Sequence, residues 1–71
     1  MYVELYGENV KALREEWGMT KRDLAEAAGI STTTARNAER GEPVSVPTAR
    51  SVAAVLRVNP PQRLGQPANR P

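Results

Sequence analysis

Three glycines, Gly18, Gly29 and Gly41, cut the first part of the chain into short segments, and each follows a stretch with helical spacing. A left-handed glycine is the common way for a helix to end, so the glycines punctuate a series of short helices. Ahead of Gly18, the apolar residues Val10, Leu13 and Trp17 recur at intervals of three and four, which is one helix face. Thr20 is a good N-cap, with Asp23 three residues on in a capping-box position. The helix it opens runs to about Ala28, with Leu24, Ala25 and Ala28 on one side.

Ser31 caps a further helix, from Thr32 to about Arg40. A short turn containing Gly29-Ile30 joins the two, and a glycine-bearing turn of this length between short helices is the helix-turn-helix signature. Gly41-Glu42-Pro43-Val44 reads as a loop. Ser45 can cap a fourth helix with Pro47 in its first turn, where proline is tolerated, and Ala49, Val52, Ala53 and Leu56 would form its apolar face. Residues 59–71 hold four of the six prolines with Gln62, Gln66 and Asn69, and offer almost nothing to bury. They read as a disordered tail. For Tyr2-Val3-Glu4-Leu5-Tyr6 a strand, a loop and a backward extension of the first helix all stay open, with the large apolar groups packing over Trp17. The expected architecture is all-α: a compact four-helix domain over residues 9–58, an N-terminal segment over 1–8 packed on the core, and the tail over 59–71.

Seventy-one residues make a single domain that buries about 60% of its unfolded surface, too little to build a deep pocket. The chain has no Cys and no His, so a disulfide framework, a thiolate zinc site and the usual general base are all absent. Ser31, Ser45 and Ser51 lack a base partner, and the adjacent Glu15 and Glu16 point in different directions along a helix. No glycine-rich phosphate loop is present. These features argue against an enzyme and against a cofactor, metal or small-molecule ligand. No apolar run approaches 18 residues and the N-terminus lacks the order of a signal peptide, so the expected location is cytoplasmic, with the nucleoid.

Charge is unevenly spread. Residues 1–35 carry four basic side chains against six acidic ones, and residues 36–71 carry six against two. Every basic residue of the second half is Arg, the side chain suited to phosphate and guanine. On the helix 32–40, Ala35 and Ala38 share one side near Glu39, while Thr32, Thr33, Arg36, Asn37 and Arg40 fan out on the other. Arg can grip guanine, Asn can grip adenine and Thr methyls can touch thymine, so this face suits base-edge contacts. An ordinary amphipathic helix would also be polar outside. Three consecutive Thr at a helix start count against that simpler reading, because β-branched residues are poor helix formers.

Residues 9–58 resemble the phage-repressor/Cro helix-turn-helix family, also called XRE-like. The resemblance rests on an ordered set: Arg14, Gly18, Lys21, Leu24-Ala25, Gly29-Ile30-Ser31, Glu39 and Gly41, then Val52-Ala53, Leu56 and Val58. It implies binding to double-stranded DNA, with base contacts from Thr32, Thr33, Arg36 and Asn37. Phosphate contacts would come from Lys21, Ser31, Thr34 and Arg40. Arg14 and Glu39 would form a largely buried structural ion pair between the first helix and the recognition helix.

Two departures from the family pattern stand out. Ala35, Ala38 and Ala49 occupy positions where larger aliphatics are usual, so the N-terminal segment is expected to fold back, with Tyr2, Tyr6 and Trp17 as fillers. Pro60-Pro61 forbids the fifth helix through which many members dimerise, so a monomer, or a weak dimer forming on DNA, is expected. The leading expectation is a sequence-specific transcriptional regulator, of the kind found as phage or plasmid repressors. An antitoxin or excision factor on the same scaffold is the close variant. A protein-interaction module presenting Tyr2, Val3 and Tyr6 to a partner or second copy is the alternative class.

Overall fold

The computed structural model describes residues 1–67. Strand β1 (Tyr2–Leu5) is followed by helices α1 (Gly7–Glu16), α2 (Lys21–Ala28) and α3 (Thr32–Glu39), strand β2 (Pro43–Ser45), helix α4 (Val46–Leu56), a 3-10 turn (Pro61–Leu64) and strand β3 (Gly65–Pro67). The helical ends follow their local chemistry. The Thr20 hydroxyl accepts from the Asp23 N–H at 3.0 Å, while the Asp23 carboxylate accepts from the Thr20 N–H at 2.9 Å, so the two cap one another. Ser31 accepts from the Thr34 N–H at 3.0 Å and Ser45 from the Thr48 N–H at 3.2 Å. Gly29 closes α2 at φ +70° and Gly41 follows α3 at φ +76°, both in the left-handed region. Arg57 closes α4 at φ +59° without being glycine, a geometry that costs an L-residue about 1–2 kcal/mol.

An all-α domain is not what forms. Four helices are present, but a three-stranded antiparallel sheet in the order β2-β1-β3 joins them. Val3 faces Val44 on one side and Pro67 on the other, so the N-terminal segment is the central strand. What reads in the sequence as a loop at Gly41-Glu42-Pro43-Val44 becomes β2 from Pro43 onward. The expected tail over 59–71 is likewise corrected through Pro67. Its 3-10 turn buries Leu64, which is 1% exposed, and the Leu64 carbonyl accepts from the Tyr6 N–H at 2.8 Å. Residues 68–71 lie outside the described residues.

The core gathers Leu5, Val10, Leu24, Val44, Val52, Leu56 and Leu64 around the small Ala38, Ala49 and Ala53. β1 alternates, sending Leu5 inward with the half-buried Val3 and leaving Tyr2 exposed. The space beside the alanines is therefore closed by Leu5, Val44 and Leu64, and not by the aromatic residues. Tyr2, Tyr6 and Trp17 stay 59%, 44% and 50% exposed. Trp17 donates its indole N–H to the Leu56 carbonyl at 3.3 Å and stacks beneath the Arg57 guanidinium, so it clasps the end of α4 from outside.

Candidate nucleic-acid interface

Helix α3 owes its orientation to its two smallest side chains. Ala35 and Ala38 are fully buried against the rest of the domain, so this part of the helix packs close to it. Thr32, Thr33, Arg36 and Arg40 are exposed, and Asn37 is half-buried beside them. Ser31 is exposed at the N-cap, where its hydroxyl and that of Thr34 lie 2.9 Å apart. Lys21 is exposed at the first position of α2. Among the described residues no carboxylate lies within ion-pair distance of Lys21, Arg36 or Arg40.

The end of α3 is tied down by backbone. The Asn37 carbonyl accepts from the Glu42 N–H at 3.0 Å, a return made possible by the left-handed Gly41. On the inner side, Glu39 meets Arg14 of α1 through two contacts, Nε to Oε2 and Nη2 to Oε1, the latter at 3.2 Å. The remaining guanidinium nitrogen, Nη1, donates to the Met19 carbonyl at 2.7 Å in the turn between α1 and α2. The side chains are 9% and 4% exposed, and no buried polar side-chain atom among the described residues is left without a partner. One arginine thereby links three segments: α1, the turn into α2, and the end of α3. Gly7 adds a further tie, since a Cβ there would collide with the Glu39 carbonyl; α1 and α3 meet backbone to backbone.

Asp23 is held below the usual carboxylate range. The Thr20 backbone N–H is the main cause, with the Thr20 hydroxyl adding to it. Its charge also sits in the first turn of α2, where the helix dipole favours an anion.

The family model described as helix-turn-helix (HTH_3) matches residues 10–62. The chain belongs to the XRE-type helix-turn-helix family. No curated protein matches it. Among solved structures, the helix-turn-helix chain resembles one titled as the master regulator for biofilm formation SinR in complex with DNA. The two are 33% identical with a TM-score of 0.68, over 75% of this chain and 87% of that one.

The helix-turn-helix frame brings Thr32, Thr33, Arg36 and Asn37 onto one helix with Arg40 at its C-cap, and Lys21, Ser31 and Thr34 at the two neighbouring helix starts. Tyr2, Val3 and Tyr6 do not form one surface: Val3 lies on the inward side of β1 and is half-buried, while Tyr2 and Tyr6 are exposed. Two contacts that shape the site have no reading in the sequence. Gly7 sets the approach of α1 to α3, and the Arg14 bond to the Met19 carbonyl fixes the turn before Lys21. A glycine opening a helical segment was the available sign of the first. The second has no sequence signal, because any residue at position 19 offers a carbonyl.

Proposed function

We propose that this chain is a sequence-specific transcriptional regulator that binds double-stranded DNA and places α3 in the major groove. The observation that carries the reading is the outward face of α3: threonines and exposed arginines presented by a helix whose other side is fixed by Ala35, Ala38 and the Arg14–Glu39 pair. Membership of the helix-turn-helix family and likeness to a regulator solved on DNA support the same class of function. In this reading Thr32, Thr33, Arg36 and Asn37 meet base edges, and Lys21, Ser31, Thr34 and Arg40 meet phosphates. Occupancy of a promoter is enough for repression, so a repressor of phage or plasmid type is the finer proposal. It acts as a monomer or as a weak dimer that forms on its site.

Selection of bound duplexes from a random pool tests this. The expected result is a recovered motif, with affinity falling by about 0.9 log units per log unit of salt for each phosphate contacted. Failure to retard any duplex at low salt would defeat the proposal.

A further inference from the structure

Among the described residues, positive φ falls on three glycines and on one other residue, Arg57 at +59°. A side chain kept at a strained position is a sign that the residue serves something besides the turn. Arg57 does not dangle: its guanidinium lies 5.5 Å from the centre of the Trp17 ring, and the Trp17 indole is itself anchored on the Leu56 carbonyl. The ring is nevertheless half open to solvent. Two turns back along α4, Arg50 is exposed, and together with Arg57, Ala54, Val58 and Pro61 it lines a shallow concavity beside the helix. Neither arginine has a carboxylate within ion-pair distance among the described residues.

We propose that Arg50, Arg57 and the exposed edge of Trp17 form a docking site for an acidic, partly apolar segment of a partner protein. Charge complementarity names the occupant. Two unneutralised arginines, spaced by two helical turns or about 10 Å, call for two carboxylates at that separation. Ala54, Val58 and Pro61 between them give an apolar floor that a sugar-phosphate backbone would not use. A second copy docked face to face would set arginine against arginine, because a two-fold contact places the same patch on both sides. Trp and Arg are also the side chains most enriched at energetic centres of protein interfaces. The site is separate from the outward face of α3 and does not depend on the DNA-binding reading.

The test is a selection of displayed random peptides on the immobilised full chain. Each winner is then synthesised and titrated by fluorescence anisotropy against the parent, Arg50→Glu and Arg57→Gly. Glycine is at ease at φ +59°, so Arg57→Gly removes the side chain without straining the turn, and Arg57→Asn serves as a second αL-tolerant variant. The expected winners carry two or more acidic residues around an apolar one. They bind at least tenfold more weakly to each variant, while the variants keep the parent's circular-dichroism spectrum. Neutral or basic winners, no winners, or equal affinity for parent and variants would overturn the proposal. So would a loss of duplex DNA retardation in both arginine variants with peptide binding intact, which would assign the two side chains to phosphate.

Discussion

Arg14 and Glu39, twenty-five residues apart in the chain, meet through two hydrogen-bonded contacts in a setting almost closed to water. Breaking one side of such a pair strands a buried charge, which costs far more than the pair itself contributes. Glu39→Ala or Arg14→Ala is expected to lower stability by about 3–5 kcal/mol in urea unfolding. The double variant with two well-packed apolar residues should recover much of that loss. Single-variant costs below about 1 kcal/mol would mean that water reaches the pair.

Leu64 is the one large apolar side chain delivered by the proline-rich end, and it is 1% exposed. Leu64→Ala should cost about 2–5 kcal/mol, the range for emptying a core leucine site. Removal of residues 1–6 takes away the central strand and should lower the melting temperature as well. Unchanged melting after either change would detach the sheet from the core.

The two kinds of DNA contact proposed here separate in a binding assay. Asn37→Ala should relax preference at one or two base pairs by about 1–3 kcal/mol. Lys21→Ala should weaken every duplex alike and reduce the salt slope by about 1. Identical behaviour of the two variants would displace α3 from the groove.

Strong acid should weaken the start of α2. The Asp23 carboxyl titrates lower in the folded chain than in the unfolded one, so its contribution is complete above the unfolded value. It fades as pH falls through the folded value. A carbon-13 carboxyl titration should place Asp23 below an aspartate in an unstructured peptide of the same local sequence. Asp23→Asn should flatten the acid limb of stability against pH. A midpoint for Asp23 no lower than in the unstructured peptide would remove the capping box as a source of pH dependence.

Helices α2, α3 and α4 could be read in advance because their starts are specified locally. Thr20, Ser31 and Ser45 sit where their hydroxyls meet backbone N–H groups three residues on, and Gly18 and Gly29 mark the stops. The sheet could not be read that way. β2 and β3 are three residues each, both contain proline, and Gly65-Gln66-Pro67 has no alternation. Their pairing is decided by contacts from the far ends of the chain. The same ambiguity misassigned the aromatic residues: a helix or a loop can turn Tyr2 and Tyr6 inward, whereas the pleat that forms turns Val3 and Leu5 inward instead. On α3, the 3.6-residue period separates Ala35 and Ala38 from the arginines and threonines, so the outward face was legible from spacing, while the contact roles assigned to its residues came from the family resemblance.

With β1 flanked by β2 and β3, the earliest-made strand can gain its second neighbour only once Gly65–Pro67 has left the ribosome. Until then Leu5 waits beside a vacant slot for Leu64. A chain lacking Leu64 to Pro67 would leave β1 with one neighbour and its helices around an unfinished seam.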